Sequence, residues 1–147
     1  MKSTQLIKMD ERDPDMSQIR QVADESRNGK IVAFPTETVY GIGGPMSVKD
    51  ISKTLAEIKG RQPDKPFSYH IADKQMVYEL RVKMTPVFRY FAELFWPGPV
   101  TLVVENEGGQ KIGIRFPSNR LSMVLIQAAG EPFIATSANK SDTPSPL

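Results

Sequence analysis

Ile31-Val32-Ala33-Phe34-Pro35-Thr36-Glu37-Thr38-Val39-Tyr40-Gly41 is the stretch on which the fold reading turns. Four apolar residues form a short buried strand and Pro35 stops it, so the hydroxyls of Thr36 and Thr38 bracket a carboxylate directly behind the strand end. Open α/β sheets gather their ligand contacts at such positions. The plain alternative is that two β-branched residues merely extend the strand. Upstream, Asp13-Pro14 precedes Met16, Ile19, Val22 and Ala23, with Gly29 behind them, which predicts a capped amphipathic helix running into the strand.

Downstream, Ser47-Val48-Lys49-Asp50 resembles a capping box, and Val48, Ile51, Leu55 and Ile58 recur at helical spacing up to Gly60. That helix delivers Lys59 to its C-terminus and Arg61 to the loop behind it. Phe67, Tyr69 and Ile71 alternate with Ser68 and His70, which predicts a strand whose His70 faces away from the core. A short helix over Met76 to Leu80 follows, then a second from Pro86 with Phe88, Phe91 and Phe95 on its apolar face, ending at Trp96-Pro97-Gly98-Pro99. Val100 to Glu105 and Lys111 to Phe116 read as a hairpin around Gly108-Gly109, with Lys111, Gly113 and Arg115 sharing one face. A helix from about Asn119 to Ala129 and a strand from Phe133 to Thr136 complete the pattern. Strands and helices are interleaved without a repeat, so a single α/β (α+β) domain over 1–147 is expected.

Composition narrows the chemistry. The 147 residues are 39% hydrophobic and 24% charged, which is ordinary for one globular domain. A formal charge of +2 and a pI near 8.9 are compatible with an anionic substrate or with RNA and require neither. With no cysteine, disulfides and thiolate metal sites are excluded, and a single histidine leaves little for zinc. Magnesium carried by nucleotide phosphates is the one metal expected. No stretch approaches the roughly 18 apolar residues of a membrane span, and the polar N-terminus carries no signal peptide, so a cytoplasmic protein is expected.

Several short motifs each have an unremarkable reading. Lys59-Gly60-Arg61 suits a helix C-terminus, where cations meet the dipole and glycine ends the helix. Arg61, Pro63, Lys65 and Pro66 nevertheless stiffen a loop of cations that invites a polyphosphate. His70 suits a satisfied half-buried histidine, Lys111 and Arg115 a solvated strand face, and Ser137-Ala138-Asn139 with Ser141, Thr143 and Ser145 a capping loop. Their joint occurrence is what points to a site. There is no Walker loop and no dinucleotide fingerprint, so phosphate must be held by cations and hydroxyls. Ser137 and His70 raise a Ser-His-acid hydrolase as a rival, but Ser137 lacks the glycines of a nucleophile elbow.

Taken together, Pro35 to Gly41, Lys59 to Pro63, Trp96 to Thr101 and Ser137 to Ser141 resemble the motifs of the YrdC-like threonylcarbamoyl-adenylate synthases, in order and from about Ile31 to Pro146. The resemblance implies an open twisted mixed sheet with flanking helices and a concave basic face. It implies an ATP-dependent nucleotidyltransferase that joins threonine, bicarbonate and ATP into threonylcarbamoyl-AMP, releases pyrophosphate and feeds a downstream transferase that modifies tRNA. On this reading Thr36, Thr38, His70, Arg115 and Ala135 contact threonine, while Lys59, Arg61, Lys65, Lys111, Ser137, Asn139 and Ser145 line the nucleotide site. Lys59 and Arg61 are the catalytic pair, and the protein supplies no metal ligand.

The sequence departs from the family pattern in three places. Gln62 stands between Arg61 and Pro63, Ser118-Asn119 replaces an acidic and histidine pair, and Asp142 stands where the family usually has glycine. Family members also continue beyond the Pro-Ser-Pro turn, so the resemblance implies a domain lacking its C-terminal part, with a pocket left open or completed by a partner. Two alternatives come with it: a double-stranded RNA or tRNA binding module whose cations track phosphates, and a carbamoyl-adenylate domain of the hydrogenase-maturation type.

Overall fold

The computed structural model describes residues 3–62 and 66–145. Helix α1 (Met16–Arg27) forms where the apolar spacing places it, and Asp15 caps it by accepting from the N–H groups of Ser17 and Gln18. Strand β1 (Val32–Phe34) stops at Pro35, and the following loop leads into β2 (Gly41–Pro45). No expectation covered β2: Gly41-Ile42-Gly43-Gly44-Pro45 lacks alternation and is poor in strand formers. Tertiary context makes it a strand, because it lies between two partners and needs almost no side-chain volume there. A Cβ on Gly43 would overlap the Ile134 carbonyl oxygen and lie 3.0 Å from the Ala135 Cα.

Helix α2 (Ile51–Lys59) ends at Gly60, whose φ of 61° is the left-handed conformation that glycine adopts freely. The expected capping box does not form. Asp50 makes no side-chain cap, and Ser47 turns to Glu131, donating its N–H at 2.6 Å and its hydroxyl at 2.9 Å. A charged acceptor on a neighbouring loop has taken the Ser47 hydroxyl out of the local pattern.

Strand β3 (Ser68–His70), helix α3 (Met76–Glu79) and helix α4 (Pro86–Phe95) follow. Thr85 caps α4 by accepting from the Phe88 N–H, and Trp96 behind it donates its indole N–H to the Val100 carbonyl at 2.9 Å. The apolar face expected of α4 is only partly covered. Phe88 is buried against Trp96, whereas Phe91 and Phe95 stack on each other and keep 40% and 38% of their exposure. Strands β4 (Thr101–Glu105) and β5 (Lys111–Arg115), helix α5 (Arg120–Ala129) and strand β6 (Phe133–Ser137) complete the described chain. Asn119 caps α5 by accepting from Leu121 and Ser122.

The six strands make one open mixed sheet in the order β1-β2-β6-β3-β5-β4. Only β3 and β5 run parallel; the remaining neighbours are antiparallel. Cross-strand partners share a face, so the register defines two surfaces. Tyr69, Ile114, Leu102 and Ile134 lie on one, and the packed pair α1 and α5 contributes Ala23, Leu125, Ile126 and Ala129 to the core. The row Thr101, Arg115, His70 and Phe133 lies on the other. Among the described residues no helix is long and apolar enough to cross a membrane.

Candidate active site

The loop between β1 and β2 is organised by its own hydroxyls. Thr36 Oγ1 donates to the Val39 carbonyl at 2.6 Å, which fixes its single proton. The 3.1 Å contact between the two threonine hydroxyls therefore runs from Thr38 to Thr36. Thr38 in turn accepts from Arg115 Nη2 at 3.0 Å. Arg115, Thr38, Thr36 and the Val39 carbonyl thus form a relay with one direction, and both hydroxyl protons are committed within it.

Glu37 anchors that loop to the far side of the sheet. One carboxylate oxygen pairs with Arg115 Nη2, and the other accepts from the Ser118 N–H at 2.7 Å and its hydroxyl at 3.1 Å. The side chains of Arg115 and Glu37 keep 13% and 20% of their exposure. Burial raises the Glu37 carboxyl, but the Arg115 guanidinium and the Ser118 N–H outweigh it and hold the group below the usual carboxylate range.

His70 does lie on the face opposite Tyr69, but that face is not solvated there. The Phe34 ring meets it edge-on at a centroid distance of 6.0 Å, and only 5% of the residue is exposed. The sequence expectation of a half-buried histidine understates this, because alternation assigns a face and says nothing of what covers it. Burial, aided by the positive charge of Arg115, lowers the imidazole to about 4. His70 is therefore a neutral hydrogen-bonding group at physiological pH. Its Nδ1 and the Arg115 Nε are buried with no hydrogen-bond partner among the described residues. Buried polar atoms of this kind call for an explanation, and a missing ligand is one.

A second network closes the opposite side. Lys59, only 5% exposed at the end of α2, donates to the Ser137 carbonyl at 2.7 Å and reaches Asn139 Oδ1 at 3.4 Å. Burial and then the charge of Arg61 lower its ammonium. Asn139 is the hub: its Oδ1 also accepts from the hydroxyls of Ser137 and Ser145, and its amide donates to the carbonyls of Lys140 and Thr143. Ser141 N–H returns to the Lys59 carbonyl at 3.0 Å, and Ala138 N–H to that of Tyr40 at 2.8 Å. Asp142 in this loop has a φ of 65°, so its backbone takes the conformation that suits glycine best.

Between the two networks lies a cavity of about 260 Å³. Of the residues singled out from sequence, Thr36, Arg61, His70, Arg115, Ala135 and Ser137 line it. Thr38 stands behind Arg115, and Lys59, Asn139 and Ser145 hold the Ser137 loop from outside the lining. Lys111 is exposed at the opposite end of β5 from Arg115, beside Glu105 in the neighbouring strand, and does not line the cavity. Lys65 lies outside the described residues. Sequence reasoning missed Tyr40, Phe67, Ser68 and Thr101 as lining residues. Thr101 closes the Trp96 to Thr101 motif and Ser68 shares the His70 face, so both carried a signal; Phe67 earned its place by stacking under the Arg61 guanidinium at 5.0 Å. Among the described residues no group of three or more His, Cys, Asp or Glu side chains could hold a metal ion.

Comparison with known proteins gives concordant matches. The family profile of the Sua5, YciO and YrdC proteins, described as telomere recombination, matches residues 24–147. Threonylcarbamoyl-AMP synthase of Pyrococcus abyssi is 37% identical over 87% of this chain and 40% of its own length. That of Bacillus subtilis is 37% identical over 93% of this chain and 42% of its own length. The crystal structure of P. abyssi Sua5 complexed with L-threonine superposes with a TM-score of 0.83 at 38% identity, covering 91% of this chain and 42% of that one. The chain thus spans less than half the length of these relatives.

Proposed function

The chain belongs to the family of Sua5, YciO and YrdC proteins, and from that premise we propose that it forms threonylcarbamoyl-AMP from threonine, bicarbonate and ATP. The observation that carries the proposal is one cavity lined at one side by Arg115 and His70, each with a buried nitrogen that has no partner among the described residues, and at the other by Arg61 and Ser137. The Arg115 side suits a carboxylate, which the guanidinium can meet through a charge-assisted N–H bond. The Arg61 side suits phosphates. The names of the relatives and the threonine bound to P. abyssi Sua5 support the same division.

In the proposed reaction, the threonine amine and bicarbonate give the N-carbamate and water, and a carbamate oxygen attacks the α-phosphorus of ATP. The bond from that phosphorus to the bridging oxygen breaks, and pyrophosphate leaves with its electron pair. No protein nucleophile is required; the chain positions two anions that repel each other and neutralises the charge that develops. Arg61, with Lys59 behind it, faces the phosphates, and His70 serves as a neutral partner to the amino acid. Magnesium enters with ATP, as part of the substrate. The activated carbamoyl group then passes to a downstream transferase acting on tRNA, which fits a cytoplasmic protein.

Chemical-shift mapping tests the division of the cavity. Threonine is expected to perturb Thr36, His70 and Arg115, and a non-hydrolysable ATP analogue Arg61, Ser137 and Asn139. Perturbations by both ligands confined to the outer surface of α4 would overturn it.

A further inference from the structure

We propose that Glu37 is a positioning residue, which orders the Arg115 guanidinium for a substrate carboxylate and admits no amide in its place. Three observations converge on it. Glu37 joins three segments that are distant in sequence: its own loop, the end of β5 through Arg115, and the entrance to α5 through Ser118. Arg115 Nη2 is shared between Glu37 and Thr38, which fixes the plane of the guanidinium. Arg115 Nε, beside Nη2 on the same edge of the guanidinium, is left buried and without a partner among the described residues, so its direction is set by the two contacts that Nη2 makes.

The requirement for a carboxylate follows from donor counting. Every partner of Glu37 is a donor: the Arg115 guanidinium, the Ser118 N–H and the Ser118 hydroxyl. A carboxylate accepts at both oxygens, whereas an amide offers one acceptor and one donor of nearly the same shape. Glu37→Gln must therefore turn its NH2 group toward Arg115 or toward Ser118. With the amide oxygen kept on the Ser118 N–H, whose proton cannot turn away as the hydroxyl proton can, the NH2 faces Arg115, donor against donor, and Thr38 alone is left to hold the guanidinium; with the oxygen turned to Arg115, the Ser118 anchor of the loop that carries Thr38 is lost.

The test reads Arg115 directly by its side-chain Nε–Hε signal, in the full chain without any ligand. In the wild type this proton is expected to be resolved and protected, and in Glu37→Gln to exchange with solvent about tenfold faster or to broaden away, with the backbone spectrum retained and the melting temperature lowered by a few degrees. The substrate part rests on the proposed function: threonine affinity measured by calorimetry is expected to fall about tenfold in Glu37→Gln, with ATP affinity unchanged. An Arg115 signal identical in wild type and Glu37→Gln overturns the inference whatever threonine does. A wild type that binds no threonine, together with an Arg115 released by Glu37→Gln, overturns the substrate reading and leaves the positioning role standing.

Discussion

Lys59 and Arg61 sit two positions apart yet should respond differently to substitution. The Lys59 ammonium joins the Asn139 N–H on the Ser137 carbonyl and helps hold the Asn139 side chain. Lys59→Met therefore removes the charged donor that ties α2 to this loop and loosens the Ser137 side of the cavity, at a cost of about 1–3 kcal/mol in stability besides lost turnover. Arg61 is half-buried at the edge of the cavity over Phe67, so Arg61→Ala should reduce turnover while stability falls by only about 0.5–1 kcal/mol. Urea unfolding beside a turnover assay checks both, and equal stability losses would contradict the tether. Sequence spacing placed both cations at the helix end, but it could not tell which one is committed to a backbone carbonyl, because that partner lies on β6.

His70 makes a separate prediction about acid. Its folded pKa of about 4 lies below the ordinary value of 6.5, so the unfolded chain takes up its proton first and stability falls as pH drops from 6.5 toward 4. Between neutral pH and about pH 4.5 this amounts to about 2–3 kcal/mol. Glu37, whose carboxyl is held low, adds its own loss only below about 4.5, where its unfolded form begins to protonate. Denaturation at the two pH values should show the first loss in the wild type and its absence in His70→Phe. A loss of equal size in both would place the acid sensitivity elsewhere. That a histidine sits on this strand face was legible; its neutrality was not, since it depends on Phe34 closing over the ring.

Among the elements, β2 explains why part of the fold escaped the sequence. A strand made of glycines and proline has neither period nor propensity, and it exists because β1 and β6 present free edges to it on both sides. Gly43→Ala tests this: the added carbon meets the Ile134 carbonyl and the Ala135 backbone, neither of which can swing aside as a side chain does. A loss of at least about 2 kcal/mol is expected in chemical denaturation, and a neutral variant would mean that β2 and β6 can part without consequence. The amphipathic helices, by contrast, were legible from their apolar spacing, which is a local fact, although the first is capped by Asp15, two positions after the Asp13 that the sequence suggested. The capping box at Ser47 failed for a non-local reason, the reach of Glu131. The stacked Phe91 and Phe95 on α4 show the same limit, for an apolar stripe names a face and not its cover.

At the scale of the whole molecule, the motifs fall at both ends of one cavity although they are spread across most of the chain. Loops after β1 and β6, the end of α2 and the ends of β3 and β5 meet because the sheet order interleaves early and late strands. The order of motifs was legible; their convergence needed the fold. This arrangement is proposed to join an amino-acid carbamate to a nucleotide. The most direct measurement incubates the 147-residue chain with ATP, magnesium, bicarbonate and threonine, and follows threonylcarbamoyl-AMP by mass spectrometry alongside released pyrophosphate. Both are expected to appear together and only when threonine is present. Pyrophosphate released equally without threonine, or no adduct from folded chain, would overturn the proposed activity.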